Sequence, residues 1–442
     1  MKRAGRSPLP WGWWFAVGLF LILIGVERES PAAPPAPKPL HFIRAIAIDP
    51  GAPETLYVAT DNQGLLKSVD GGTQWTFINQ GLKNYLVYDV KVLLVMPGRL
   101  WAATWGGGVY QSDDGGASWR EFNDGLGNTA VGAIAVQAAA AGQQERLFVG
   151  TSTAVYERRL NEAAWRPITE GLRFWNGPQF QSLMISGADP AALYLGTERG
   201  LYVKRLGTRG WTEVPALKGK RVAVLAADPA SGTFYTGTVA NGGPFMSRDQ
   251  GATWHPAGAG LEKAWVRALL PHPQPDTLYV GTSVEGLWKS ADGGATWTAI
   301  NRGLTDKEVR ALAIDLTKPA RLFAGTHGAL FRSEDGGSTW KRIEGLPFET
   351  VDRQVAAIEA QSPRPPDAVA PPAAFAKCNQ CHGWTDPALN QNSTIWRAAA
   401  TRRDWRMTVA RMSEGATLSR EEQDQITTFL QRYTSAAAPA SP

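Results

Sequence analysis

The sequence predicts an all-β seven-bladed propeller, a small all-α domain behind it, and a membrane helix in front. Three observations carry this: seven tryptophans recur at a nearly constant interval, a Cys-x-x-Cys-His run lies near the carboxyl end, and an apolar run follows a basic amino terminus. Successive segments are expected at 1–29 (membrane anchor), 30–40 (linker), 41–360 (propeller), 361–374 (linker), 375–434 (helical domain) and 435–442 (tail).

The propeller rests on the tryptophans. Trp75, Trp119, Trp165, Trp211, Trp254, Trp297 and Trp340 are 44, 46, 46, 43, 43 and 43 residues apart. A fixed period in this range marks a propeller blade. Each period holds four short strands, as in Val266–Leu270, Leu278–Gly281, Gly286–Ser290 and Trp297–Ile300. Helical repeats are excluded because the apolar residues alternate and glycines mark the turns. Five tryptophans close an S-x-D-x-G-x-x-W box, beginning at Ser68, Ser112, Ser247, Ser290 and Ser333. In such a box the glycine supplies a positive φ, the aspartate accepts backbone N–H groups within the turn, and the tryptophan buries a large flat surface between blades. Its aspartates are therefore structural. Val355–Ile358 reads as an extra strand or a closing staple on the ring.

The second domain rests on Cys378-Asn379-Gln380-Cys381-His382, a C-x-x-C-H run. This is the attachment signature of c-type haem: the two thiols bond the vinyl groups and the histidine reaches the iron. Cys378 and Cys381 are the only cysteines in 442 residues, so a four-thiolate metal site is excluded. Downstream, Trp405, Val409 and Met412 share one helical face, while Met407 does not. Ser419 and Glu422 form a capping box, followed by an amphipathic helix with Ile426, Phe429, Leu430 and Tyr433 on its stripe. Methionine commonly takes the second axial position of such a haem, which makes Met412 the expected distal ligand opposite His382.

Lys2, Arg3 and Arg6 precede the uncharged run Trp11–Val26, with Glu27-Arg28-Glu29 after it. That length lies between a signal-peptide core and a full span. An uncleaved anchor is expected, with the basic flank cytoplasmic and the rest of the chain on the periplasmic face of the inner membrane. Two linkers, each with five prolines, separate the parts. The second could hold the helical domain up to about 40 Å from the propeller, at ~3.1 Å per residue. A net charge of +5 spread over the whole chain gives no argument for nucleic acid. Arg397, Arg402, Arg403 and Arg406 form one local basic cluster.

The boxes resemble those of bacterial-neuraminidase-type repeats, whose seven-bladed propellers occur in sialidases, xyloglucan-type glycosidases, sortilin-like receptors and photosystem II assembly factors. The residues from Cys378 to the terminal helix resemble small bacterial c-type cytochrome domains. The first resemblance implies a propeller scaffold, the second one covalent haem c. A sialidase would need an arginine cluster with an Arg-Ile-Pro segment, and none is legible. A glycosidase needs two facing carboxylates, for which Asp61 and Glu198 are the only candidates. The resemblance is closer to the non-catalytic propellers. The face opposite the boxes is expected to carry Asp61, Trp105, Glu198 and His327 just after second strands, with Tyr85, Arg173, Phe174, Trp175 and Trp265 between blades. Trp105, Trp175 and Trp265 are the expected contacts for a redox partner protein, because exposed aromatics often dominate interfaces.

Overall fold

A computed structural model describes residues 42–347, apart from 94–95, 97, 138–144, 173–179, 188–190, 229 and 240–241. The anchor, both linkers, Val355–Ile358, the haem motif and Met412 lie outside the described residues, as does Trp175. The described chain forms seven antiparallel sheets, each of four consecutive strands. No α-helix occurs among the described residues; one 3-10 turn spans Pro215–Leu217.

The first strands are Ile43–Ile48, Val87–Val92, Val131–Gln137, Phe180–Ile185, Arg221–Ala227, Val266–Pro271 and Ala311–Ile314. Each packs on the first strand of the next blade, and that of blade 7 packs on that of blade 1. The ring is thereby closed around a central channel. In blade 6 the strands run Val266–Pro271, Leu278–Thr282, Leu287–Ser290 and Thr298–Ala299. The last is shorter than expected because Trp297 still belongs to the turn.

Among the described residues no strand is exchanged between the first and last blades, and packing and hydrogen bonds join them. Ile43, Leu56, Val58 and Trp75 of blade 1 share a buried cluster with Ala311, Phe323, Leu330 and Ile343 of blade 7. Ile43 N–H donates to the Thr326 carbonyl at 3.1 Å. On the outer side, Glu54 accepts from Arg321 at 2.7 Å and Lys318 at 3.2 Å, and Arg332 donates to the Gly71 carbonyl at 3.0 Å.

The boxes fold as their chemistry demands. Asp70 Oδ1 accepts from Ser68 Oγ and from the N–H groups of Thr73 and Gln74, while Gly72 N–H donates to Ser68 Oγ at 2.9 Å. Gly71 and Gly72 take φ of 70° and 92°, a region closed to most side chains. The tryptophans then join blades. The indole N–H groups of Trp119, Trp165, Trp211, Trp297 and Trp340 donate to carbonyls of the preceding blade, at Ile78, Phe122, Ile168, Ala257 and Ile300. Those of Trp75 and Trp254 stay within their own turns, on Gly72 and Gly251.

These hydrogen bonds hold the box carboxyls below their ordinary value of 3.8. Asp114, Asp249, Asp292 and Asp335 each sit at about 2, chiefly through the hydroxyl four residues on, and Asp70 is lowered chiefly by the Gln74 N–H. A carboxyl whose folded pKa is depressed adds stability above its unfolded pKa and loses it as the pH falls toward the folded one. Thermal melts should therefore be level above about pH 5 and fall together between pH 4 and 2. Replacing all five box aspartates by asparagine should flatten that descent.

Candidate functional site

The face opposite the boxes is built on threonine-capped turns. The threonine ending each second strand closes its turn through its hydroxyl, as Thr60 does on the Gly64 carbonyl and Thr104 on the Gly108 carbonyl. The same bond recurs at Thr151, Thr197, Thr238, Thr282 and Thr326. A second clamp comes from an asparagine after the fourth strand. Asn79, Asn123 and Asn301 each accept from the N–H of a third-strand residue, Leu65, Val109 and Leu287, and donate to the carbonyl ahead of it. The turn is also pinned to the loop before the first strand: Asp61 N–H reaches the Phe42 carbonyl, Trp105 that of Leu86, and Ser283 that of Trp265. Residues at these positions are thus held on a rigid rim around the channel mouth.

Four arginines occupy that rim, which corrects the expectation that this face lacks an arginine cluster. Arg44 lies on blade 1, Arg221 on blade 5, Arg267 on blade 6 and Arg310 just ahead of the first strand of blade 7. Arg44 forks onto Asp61 through Nε and Nη2 at 2.7 and 2.6 Å. Arg310 forks onto Glu308, and Arg221 Nη2 lies 3.2 Å from Glu198. Arg267 donates its Nε to Ser283 Oγ at 3.0 Å.

Aromatic rings fill the spaces between these charges. The Arg44 guanidinium lies 4.5 Å from the Tyr88 ring centre, and Tyr88 stacks on Trp105 at 5.3 Å. Arg310 lies 3.9 Å and Arg44 5.4 Å from the Phe42 ring, which stacks on His327 at 4.2 Å. Arg267 is 6.0 Å from the Trp265 ring. Burial opposes the Arg44 charge, but Tyr88 and Asp61 outweigh it and the pKa is raised. Burial, then Arg44, lowers that of Arg310.

The expected residues therefore fall in three groups. Asp61, Glu198 and His327 stand on the rim, where each of the first two meets its own arginine. Trp105 and Trp265 are half-buried members of the same mouth. Tyr85 stands exposed on the loop before Val87, and its carbonyl accepts from Gly64. Arg173, Phe174 and Trp175 lie outside the described residues. The four arginines were missed because they are far apart in sequence. The available signal was their phase: Arg267 and Arg310 are 43 residues apart, one blade, each directly after a valine.

Away from the mouth the channel widens into a cavity of about 470 Å³, lined by apolar residues such as Ile134, Leu183 and Leu225 together with Lys91. The Lys91 ammonium pairs with Asp89 at 3.0 Å. Among the described residues no group of three or more His, Cys, Asp or Glu side chains could hold a metal ion.

No family model and no curated protein matches the sequence. Solved structures match the fold. A GH74 enzyme from Niastella koreensis superposes with a TM-score of 0.57 at 16% identity, covering 69% of this chain and 54% of that one. A GH74 xyloglucanase from Xanthomonas campestris gives 0.55 at 17% identity, covering 70% and 55%. YCF48 bound to D1 peptide gives 0.52 at 15% identity, covering 67% and 94%. The chain thus spans about half the length of the two GH74 structures. At these identities the likeness is one of fold.

Proposed function

We propose that this chain is a c-type cytochrome tethered to the periplasmic face of the inner membrane, passing single electrons through one covalent haem, with its propeller docking the redox partner. One observation carries the reading: the chain's only two thiols stand at C-x-x-C spacing directly before a histidine. The donor set fits the group. Cys378 and Cys381 would tether it, and His382 and Met412 would hold its iron. When bound, haem supplies reversible one-electron chemistry. The protein's part is to hold that group behind a proline-rich spacer and to present a rigid docking surface.

The channel mouth supports the docking role, since it combines fixed aromatics and charges on a frame that costs little to order. The likeness to YCF48, solved bound to a D1 peptide, supports the reading that such a propeller can hold a protein segment. The GH74 likeness raises a hydrolase as the second reading. Against it, Asp61 and Glu198 sit on blades 1 and 4, each engaged by an arginine. Neither is placed as a free acid or base beside the other.

The test is a haem-stained denaturing gel of the full chain. The wild type and Met412→Ala should stain, and the Cys378→Ala/Cys381→Ala double variant should not. Met412→Ala should also lose the weak near-infrared sulfur-to-iron band of the oxidised protein, which Met407→Ala should keep. An unstained wild type would overturn the reading.

A further inference from the structure

The inner strands of the propeller carry a device that aims side chains into the channel mouth. In six blades the pairing of first and second strands skips one residue near the start: Arg44, Tyr88, Gly132, Gln181, Ala223 and Arg267. Such a bulge leaves the extra residue out of the ladder and re-aims its side chain. Arg310 holds the corresponding place in blade 7, between Val309 and the strand that begins at Ala311, with its N–H on the Gly325 carbonyl. Blades 6, 7 and 1 are neighbours in the closed ring, so the two bulge arginines, Arg267 and Arg44, flank Arg310. Arg221, at the start of the inner strand of blade 5, adds a fourth.

Four guanidinium groups face three carboxylates there: Asp61, Glu308 and Glu198. Arg267 is the one left over. Ser283 takes its Nε, and no carboxylate pairs with it among the described residues. Burial, followed by the charges of Arg310, Arg221 and Arg44, pulls its pKa down to about 9, and only Glu308 works the other way. It nevertheless stays charged at neutral pH. A largely desolvated cation among like charges lowers stability, and the Ser283 hydroxyl and Trp265 ring that it meets within blade 6 carry no charge to balance it.

We propose that Arg267 anchors a carboxylate-binding site at the channel mouth, with its terminal nitrogens as the fork and Trp265 as an apolar wall. A carboxylate is favoured over phosphate on two grounds. The open charge is a single one, which a monoanion balances. Arg44 and Arg310 already hold carboxylates on the same rim through Nε and Nη2, Arg44 on both oxygens of Asp61 and Arg310 on Oε1 of Glu308. A small molecule and an acidic side chain of a docked protein are the two sources of such a carboxylate, and the chemistry at Arg267 is the same for both. This inference concerns the propeller alone and stands whether or not the chain carries haem.

The experiment is calorimetric titration of the purified full chain at low salt with benzoate, inorganic phosphate, a glutamate-rich peptide and the same peptide with glutamine throughout. A carboxylate probe should bind saturably, and Arg267→Gln should weaken it at least tenfold. Arg267→Lys, which keeps the charge and loses the fork, should weaken it severalfold. Arg267→Gln should also raise the melting temperature, by about 2 °C, because it removes an unpaired charge. Benzoate binding assigns a small-molecule source, and binding of the glutamate peptide alone assigns a protein source. The proposal is overturned if no carboxylate binds, if Arg267→Gln binds as the wild type does, or if phosphate binds tenfold tighter than every carboxylate. It is equally overturned if Arg267→Gln fails to fold, since that would make Arg267 a structural residue.

Discussion

Trp340→Ala should lower the melting temperature of the propeller by about 10 °C and do more damage than the same change at any tryptophan whose indole bonds only its own turn. Trp340 is 3% exposed and packs among Leu304, Val309, Leu322 and Phe331. Its indole N–H reaches back to the Ile300 carbonyl at 2.9 Å, and its own N–H reaches the Arg302 carbonyl at 2.8 Å. Emptying such a site costs about 3–5 kcal/mol. The orphaned Ile300 carbonyl adds about 1 kcal/mol. Against a typical total of 5–15 kcal/mol, that is a large share. The loss falls on the blade 6–blade 7 junction, next to the seam where the last blade meets the first. Trp254→Ala is the comparison, because its indole stays on Gly251. Thermal melts followed by circular dichroism give the answer. Equal losses in the two variants would contradict the account of blade joining.

The propeller was legible because its signals are local and repeated. A tryptophan every 43 to 46 residues fixes blade number, and the Ser, Asp and Gly of each box dictate one turn geometry at short range. The fourth strand of blade 6 came out shorter than expected, since the box turn runs on through Trp297. The threonine caps were visible only as strand ends, and the asparagine clamp at Asn79, Asn123 and Asn301 passed unnoticed although it too recurs in phase. The candidate site was harder for a physical reason. Arg44 and Arg310 are 266 residues apart in sequence and become neighbours only when the ring closes, so no window along the chain contains both. Arg44 reaches the mouth from a bulge and Arg310 from the corresponding place ahead of its strand, and neither leaves a composition signal. Trp105 and Trp265 fall on the mouth side because strand order alone decides which end of an antiparallel blade a loop occupies.

The mouth aromatics bear on the central claim. Trp105 stacks on Tyr88, and Trp265 lies beside Arg267, so both are held in place before any partner arrives. Rigid aromatic anchors at an interface are commonly worth 2 kcal/mol or more each, roughly a thirtyfold change in affinity. The most direct measurement is the rate at which the haem is reduced in membranes supplied with a respiratory substrate, followed at its visible absorption bands. The wild type should be reduced, and the Trp105→Ala/Trp175→Ala/Trp265→Ala variant should be reduced at least tenfold more slowly with an unchanged haem spectrum. A triple variant reduced as fast as the wild type would contradict the docking role of the propeller, and a wild-type chain without haem bands would contradict the account as a whole.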